Sequence, residues 1–493
     1  MQNIFIYQTV AELSEIIVYD VSKSYQGPII GKVGFTPVQK WFIENNFENT
    51  DHWNQGYVLY KKDGFDSNVI TDVLDKIVVH HDALRMIYDL ENKIQVNRDI
   101  NETAYEFRIF NLSDDDNIDS KINESIELLQ SKISLTNGIL IQVGLFKTKD
   151  GDHLSIIIHH LVVDGISWRT ILEDFTTAYY QRLNNEDIIL QDKTISYQEW
   201  SLKIDEYANS NNFKHEIDYW KSVEKIKLDD FKFKGYGEIS KNKDSQVIAS
   251  YLEEDITNKL LEEAHKAYNT EINDLLLSAL GLAFNEWCGV KNIAITLHGH
   301  GREQIADNLD ISRTVGWFTS MYPVVLEMST PDNISNQIKT TKEYLRRIPN
   351  KGIGYGILKY IYKNVEEAIP EFTLKPMISF NYLGQFDNNV ETKLFDVTPI
   401  AQKYCVSSEC SRPYIFDVSV MLADKKLNVN ISYDERKYLK SEIEDLVALY
   451  LKYIIEIVEH CVGKNETELT LSDMSNKEIS EDDFENILEL INE

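Results

Sequence analysis

The sequence predicts an α/β protein with two lobes. Its 493 residues exceed the length at which one hydrophobic core usually stops growing, and the 43% of residues that are apolar suffice for two cores. A strand-rich first part is followed by a second series that mixes strands with helices. Residues 229–244, which are crowded with Lys, Asp and Gly and lack apolar periodicity, lie between the two parts. The predicted segments are 1–28, an N-terminal helix and linker; 29–228, the first lobe; 229–248, a crossover; 249–462, the second lobe; and 463–493, an acidic tail.

The first lobe contains an apolar strand that ends in two histidines. Alternate residues from Leu154 onwards are apolar until the row ends at His160, and the other face of the strand ends at His159. A histidine at the end of an apolar row is desolvated, which keeps one ring nitrogen unprotonated and available as a base near neutral pH. An Asp164-Gly165 corner follows. The arrangement predicts proton transfer, and the alternative is a hydrogen-bonded core histidine.

The second lobe begins near Ala249. The sequence predicts a helix from about Glu271 to Trp287 and a strand from Ile293 to Leu297 that leads into His298. No glycine-rich turn follows an early strand and no phosphate-binding loop is found, so a dinucleotide-binding fold is excluded.

Charge and cysteine content restrict the class of protein. A net charge of −30 argues against nucleic acid and against an anionic membrane surface, because both need clustered Lys and Arg. The four cysteines have no metal-site spacing and are too few for a disulfide framework. The first residues lack an export signal, and the most apolar run, Leu275 to Phe284, is too short to span a bilayer. We expect a soluble cytoplasmic protein.

Metal and nucleophilic chemistry are weaker interpretations. His159, His160, His298 and His300 together offer four imidazoles, but neighbouring histidines on a strand point to opposite faces and no further carboxylate ligand is evident. The prediction is that no metal is bound. No Gly-x-Ser-x-Gly elbow occurs, and no cysteine lies in a recognisable active-site motif.

Residues 159–165 match the His-His-x-x-x-Asp-Gly motif and resemble the condensation-domain superfamily of nonribosomal peptide synthetases. Five further blocks are similar to those of its epimerization domains and occur in family order between about residues 30 and 460. The blocks are Phe35-Thr36-Pro37-Val38-Gln39-Lys40-Trp41-Phe42 with His52-Trp53-Asn54-Gln55, Gly299-His300-Gly301-Arg302-Glu303, Val315 to Pro323, Gly354 to Tyr360 and Phe380 to Asp387.

The resemblance implies two lobes of the chloramphenicol acetyltransferase type, set in a V-shaped pseudo-dimer with a central tunnel. It implies an isomerase of antibiotic biosynthesis that converts an L-aminoacyl or L-peptidyl thioester towards the D form, on the 4'-phosphopantetheine arm of a peptidyl carrier protein and without a bound cofactor. Residues 2–18 resemble the last helix of such a carrier, and a simple amphipathic lead-in is the alternative. In the tail, residues 480–491 predict an acidic helix that either docks onto a downstream condensation domain or packs onto its own domain.

The family pattern also implies roles for single residues. His160 is a proton-transfer residue, Tyr382 lies at the site, and Asp164 is architectural, paired with Arg85 by a salt bridge. A buried aromatic with a satisfied hydroxyl is the alternative for Tyr382. The same motifs give supporting positions to His159, Gly165, His300 and Asn381.

One position departs from the family pattern. The family has a glutamate held to be an acid/base residue where this chain has His298. His298 either replaces the carboxylate as acid/base, or leaves a domain that binds loaded carrier but inverts slowly, or is an introduced substitution; we favour impaired or altered epimerization. The alternatives for the whole chain are a catalytically weak carrier-docking module and an amide-forming condensation domain, against which the last two blocks argue.

Overall fold

The computed structural model describes residues 24–113, 115, 117–229, 233–234, 238–307, 309–328, 333–363, 369–385, 394–400 and 405–474. The expected carrier-like helix at 2–18, the tail helix at 480–491 and the last two residues of the block that ends at Asp387 lie outside these residues. The boundaries expected for the five segments remain predictions.

Residues 31–224 form the first series of elements. The strands are β1 (Gly31–Val33), β2 (Asn54–Lys61), β3 (Met86–Asp89), β4 (Ile94–Asn97), β5 (Tyr105–Asn111), β6 (Ile141–Lys147) and β7 (Asp152–His159). The helices are α1 (Pro37–Glu44), α2 (Ser67–His80), α3 (Ile118–Gln130), α4 (Gly165–Leu183), α5 (Tyr197–Ala208) and α6 (Asn211–Glu224).

Residues 245–462 form the second series. The strands are β8 (Ser245–Leu252), β9 (Asn292–Gly299), β10 (Ser320–Glu327), β11 (Ile378–Gln385), β12 (Asp396–Pro399), β13 (Phe416–Ala423) and β14 (Lys426–Asp434). The helices are α7 (Glu254–Glu262), α8 (Ile272–Cys288), α9 (Ile334–Arg347), α10 (Ile353–Tyr360) and α11 (Lys440–Val462). No helix among the described residues is long and apolar enough to cross a bilayer.

Each series builds a mixed sheet, which confirms the predicted α/β class with two lobes. The first lobe has the strand order β12-β2-β7-β6-β5 and the second has β10-β9-β11-β13-β14-β8, while β1, β4 and β3 form a small separate sheet. Strand β12 comes from the second series but pairs antiparallel with β2 at the edge of the first sheet. The lobes are therefore joined by an exchanged strand as well as by the crossover.

Strand β7 is covered on both faces. Leu154, Ile156 and Ile158 point into the main core, whereas Ile157 packs on the other side in a smaller cluster with Leu129 of α3. The β-branched run suits such a doubly covered strand. The predicted strand is confirmed, but it ends at His159, one residue earlier than expected.

The predicted second-lobe elements that lead to His298 are also confirmed. Helix α8 begins and ends one residue later than predicted, and its apolar run is buried almost throughout. Strand β9 is longer than predicted and includes His298, which therefore has a fixed strand position.

Candidate active site

His160 lies at the end of β7, where the backbone turns into a short 3₁₀ helix over His160–Val162. Its Nδ1 lies 2.8 Å from the carbonyl oxygen of Val163, which can only accept, so Nδ1 carries the proton. In the neutral ring Nε2 is then the unprotonated nitrogen. The side-chain amide of Gln55 donates to that nitrogen at 2.8 Å. The turn thus selects the tautomer in which Nε2 acts as the base.

The surroundings of His160 favour its neutral form. Burial lowers the pKa of its imidazole, and the backbone hydrogen bonds and the charge of Asp164 only partly oppose this effect. The indole of Trp317, from the second lobe, packs on the imidazole with ring centroids 4.3 Å apart. His160 of the first lobe therefore lies directly against an aromatic ring of the second lobe.

His159 has a structural position. It is fully buried, its Nε2–H donates to the carbonyl oxygen of Thr50 at 2.8 Å, and its Nδ1 accepts from the backbone N–H of Leu161 at 3.1 Å. Burial lowers the pKa of His159 to about 3. The ring is fully buried and both of its nitrogens bind the backbone, so the first histidine of the motif stabilises the turn that presents His160.

Asp164 connects the two lobes at the site. Its Oδ1 caps helix α4 by accepting from the backbone N–H of Ser167 at 2.7 Å, and its Oδ2 accepts from the N–H of Phe318 at 3.0 Å. Arg302 completes the arrangement, because its Nη2 lies 3.3 Å from Asp164 Oδ1 and 3.0 Å from Ser167 Oγ. The guanidinium also lies 3.8 Å above the ring of Phe318.

The predicted salt bridge between Asp164 and Arg85 is wrong. Arg85 is fully buried and its Nη2 binds Asp82 Oδ1 at 2.7 Å, while Nη1 donates to the carbonyl oxygens of Val78 and Val79. Asp82 and Arg85 are three residues apart in a 3₁₀ turn, which places their side chains on one side. The local partner satisfies the charge of Arg85, and the buried carboxylate of Asp164 takes its cation from the other lobe.

Arg302 could have been found in the sequence as the only arginine of the Gly299 to Glu303 block. The loop that carries it needs Gly301, whose φ is +67° and where an added Cβ would lie 1.7 Å from the carbonyl oxygen of Phe318. Gln55 and Trp317 belong to two of the family blocks, but nothing in their spacing along the sequence indicates contact with His160.

His298 lies on β9 directly opposite Met321 of β10. Burial, and to a smaller extent the charge of His160, lower its pKa to about 4, so the two imidazoles are close enough to repel. The Nε2 atom of His298 is buried and has no hydrogen-bond partner among the described residues. The structure thus brings together the two histidines that the sequence assigned to opposite lobes.

The predicted residues Asn381 and Tyr382 lie on β11, which pairs parallel with the strand that carries His298. Tyr382 follows two residues after Phe380, which pairs with Leu297, so Tyr382 faces the side of the sheet opposite to His298. Asn381 faces the same side as His298 by the same alternation. The role of Tyr382 stays a prediction; burial alone raises its pKa.

His300 and Gly165 lie at exposed positions next to residues of the predicted motifs. The imidazole of His300 is 49% exposed, and its nitrogens contact the N–H of Arg302 and the carboxylate of Glu303. An added Cβ at Gly165 would meet no atom within 4 Å, so the corner after Asp164 faces open space.

A cavity of about 190 Å³ lies between the lobes beside these residues. The first lobe contributes Pro37 and Trp41 to its wall, and the second contributes Phe318, Met321 and Tyr355. Met321 is the strand partner of His298, and Trp41 packs edge-on against Trp317, which covers His160. Neither histidine lines the cavity, but Met321 connects its wall with His298, and Trp41 connects it through Trp317 with His160.

A separate cluster of potential metal ligands lies outside the site. Within the described part of the chain, His80, His81 and Asp174 are the one group of three such residues whose ligand atoms converge. Asp174 there is bound by His81 at 2.8 Å and by Arg313 of the second lobe at 2.5 Å. This cluster therefore belongs to an ion-pair network that connects the two lobes.

The profile of the condensation-domain family matches residues 29–480. Gramicidin S synthase 1 of Brevibacillus brevis is 44% identical over 496 residues, which cover 98% of this chain and 45% of that protein. Tyrocidine synthase 2 of Brevibacillus parabrevis is 41% identical over 498 residues, covering all of this chain and 14% of that protein. The chain thus spans less than half the length of these relatives.

Solved structures give the same family. The epimerization domain from the third module of tyrocidine synthetase B matches with a TM-score of 0.84 and 41% identity, covering 90% of this chain and all of that one. The condensation domain of the monacolin K polyketide synthase matches with a TM-score of 0.68 at 13% identity, covering 89% of this chain and 99% of that one, and shows the fold alone. The first match supports the expected two-lobed architecture in detail.

Proposed function

We propose that this chain, which belongs to the condensation-domain family, acts as an epimerization domain on an aminoacyl or peptidyl thioester. The observation that carries the proposal is the pair His160 and His298, two uncharged imidazoles from different lobes that are electrostatically coupled beside an interlobe cavity. Inversion of the α-carbon needs one group that removes the proton and another that returns it from the opposite face. The close likeness to an epimerization domain supports the same assignment.

Proton removal is assigned to His160. Its tautomer leaves a lone pair on Nε2, and its lowered pKa keeps that nitrogen unprotonated at neutral pH. The lone pair becomes available to the α-proton once the Gln55 amide, which donates to it in this structure, turns away. The α-proton moves to Nε2, the electron pair of the C–H bond enters the enolate of the thioester, and the imidazolium that forms stays close to Asp164. Trp317 shields the ring from water on one side.

Proton return from the other face is the weak step. With a pKa of about 4, to which both burial and the charge of His160 contribute, His298 is protonated in about one molecule in 1,000 at pH 7. A neutral imidazole N–H is a poor acid, so most enolates regain a proton from His160 on the face that lost it. We therefore propose exchange of the α-hydrogen that outruns inversion, and a buried carboxylate at this position would raise the ratio of inversion to exchange.

The substrate class and partners follow from the family. We infer that the thioester arrives on the 4'-phosphopantetheine arm of an upstream peptidyl carrier protein, in a cytoplasmic synthetase of peptide antibiotics. The acidic tail after residue 474 is assigned to contact with a downstream condensation domain. No tightly bound cofactor takes part in this scheme, because the two imidazoles and the polarised thioester carry every proton step.

The test is α-hydrogen exchange in heavy water with an L-aminoacyl pantetheine thioester on a carrier protein. Mass spectrometry reports exchange and chiral analysis of the released amino acid reports inversion. We expect exchange above the buffer rate, a slower inversion, and loss of both in His160→Ala by a factor of about 10² or more. Exchange at the buffer rate in the unaltered protein would refute the catalytic assignment.

The missing carboxylate at residue 298 favours one alternative, a catalytically weak module that binds loaded carrier. Tight binding of loaded carrier without exchange would establish it. Formation of an amide from two loaded carriers would instead identify a condensation domain.

A further inference from the structure

The rim of the interlobe cavity is lined by lysines in a strongly acidic protein. Lys359, on α10, and Lys375 both line the cavity and are exposed, and we call these two residues the mouth lysines. Lys40 lies nearby, since its Nζ donates at 3.0 Å to the carbonyl oxygen of Tyr360, the neighbour of Lys359. The charge of Lys375 lowers the pKa of Lys359, and that of Lys363 lowers the pKa of Lys40. The net charge of the chain is −30, so this local excess of cations runs against the general field.

The mouth lysines are available to a ligand. Within the described residues neither of them forms an ion pair with a carboxylate, and no Asp or Glu lines the cavity. Lys359 Nζ lies between 5.4 and 5.9 Å from the ring centroids of Tyr355, Tyr360 and Phe372, which hold the ammonium at the rim without neutralising it.

The acidic groups near the mouth lysines do not neutralise them. Glu224 is buried, and its carboxylate accepts from the hydroxyl of Tyr355 and from the backbone N–H groups of Thr373 and Leu374. Glu44 lies outside the lining, although its charge raises the pKa of Lys359 against the dominant effect of burial.

The cavity behind the mouth lysines is mostly apolar and borders the residues that pack on the histidines. Its walls carry Trp41, Phe318 and Met321; Met321 pairs with His298 across two strands, and Trp41 packs on Trp317, which covers His160. A ligand that fits this shape has an anionic group at the rim, a long uncharged arm through the cavity and a reactive group at the inner end.

We propose that the mouth lysines bind the phosphate of the 4'-phosphopantetheine arm, and that this rim is the entrance through which the loaded arm reaches the site. The inference rests on the proposed function for the identity of the arm, and it adds where the arm enters and which side chains recognise it. Two cations that converge on one phosphate contribute both attraction and position, whereas the uncharged remainder of the arm loses no ionic hydration inside the cavity.

The test compares binding of 4'-phosphopantetheine with binding of pantetheine, by calorimetry on the full chain. The two ligands differ only in the phosphate. We expect the phosphorylated arm to bind roughly tenfold more tightly at low salt, and the preference to fall steeply as salt screens the lysines. Lys359→Ala with Lys375→Ala should reduce the affinity for 4'-phosphopantetheine to that for pantetheine and leave pantetheine binding unchanged.

Matched variants separate a local site from general charge. Lys62→Ala with Lys149→Ala removes two exposed lysines that line a different surface groove, and should keep the preference within twofold. Lys359→Arg with Lys375→Arg retains the charges and should keep it as well.

The outcomes are distinct. The proposal would be overturned if the preference for 4'-phosphopantetheine over pantetheine survived in the Lys359/Lys375 alanine variant, or if it fell equally in the Lys62/Lys149 variant. Binding of inorganic phosphate with the same affinity as the whole arm would also overturn it. The binding measurement needs no turnover, so the two proposals can fail separately. If the protein binds the phosphorylated arm through these lysines but exchanges no α-hydrogen, the phosphate site stands and the assignment as an epimerase fails.

Discussion

The side-chain amide of Gln55 donates to Nε2 of His160 at 2.8 Å, while Nδ1 of the same ring donates to the carbonyl oxygen of Val163. The buried Oε1 of Gln55 has no hydrogen-bond partner among the described residues. A half-turn of the amide would present that oxygen to a protonated Nε2. Gln55 can thus stabilise His160 before and after it takes a proton, and acts as a positioning residue for the base.

Replacement of this amide by a carboxylate should change the pH dependence of exchange. In Gln55→Glu the new negative charge favours the imidazolium form and raises the pKa of His160. The base is then protonated over a wider range, so the acidic limb of the pH–rate profile should move upward by about 1 to 2 pH units. Gln246→Glu adds the same charge on the exposed edge strand β8 and should leave the profile in place. An unshifted limb in Gln55→Glu would rule out electrostatic coupling between residue 55 and the base.

His298→Glu tests the weak step of the proposed reaction. A carboxyl group in this buried position has a raised pKa and is therefore closer than His298 to the working pH as a proton donor. We expect the ratio of inversion to exchange to rise by about tenfold or more, with a smaller change in exchange itself. Chiral analysis and deuterium content of the same sample give both rates. His298→Gln, which is polar but cannot titrate, should raise neither. An unchanged ratio in His298→Glu would mean that residue 298 does not deliver the proton.

The sequence predicted the lobes and the histidine strand, because alternation and block order are properties of neighbouring residues. The predicted partner of Asp164 was wrong, because the position of a carboxylate in the sequence does not indicate which arginine neutralises it. Arg85 has a local partner in Asp82, three residues away, whereas Arg302 reaches Asp164 only after the two lobes pack. Gln55 escaped notice for the same reason, since its contact with His160 depends on the pairing of β2 with β7.

A double-mutant cycle should separate the two arginines. Arg302→Gln leaves a buried carboxylate without its cation and should lower the free energy of unfolding by about 3 to 5 kcal/mol. Because the two residues share hydrogen bonds, the combination with Asp164→Asn should be non-additive by about 1 to 3 kcal/mol. The cycle of Arg85→Gln with Asp164→Asn should instead be additive within about 0.5 kcal/mol. Urea unfolding of all five variants provides the measurement. Strong coupling of Asp164 to Arg85 would contradict the structure and support a salt bridge between these two residues.

Buried neutral histidines should make the fold sensitive to acid. His159 has a pKa of about 3 in the folded state against an ordinary value of 6.5, so below pH 6.5 the unfolded chain takes up a proton that the folded chain refuses. Stability is therefore lost as the pH falls from 6.5 towards 3. Between pH 7 and pH 4.5 this residue alone should remove about 2 to 3 kcal/mol.

The measurement for that effect is the dependence of the free energy of unfolding on pH. His159→Gln keeps a donor for Thr50 and an acceptor for Leu161 but cannot titrate, so it should be less stable at pH 7 and yet lose less stability on acidification. His215→Gln, at an exposed position on α6, is the control and should retain the slope of the unaltered protein. If His159→Gln and the unaltered protein lose stability in parallel, the acid sensitivity arises from other groups, of which His298 and His80, each with a pKa lowered to about 4 by burial, are the next to examine.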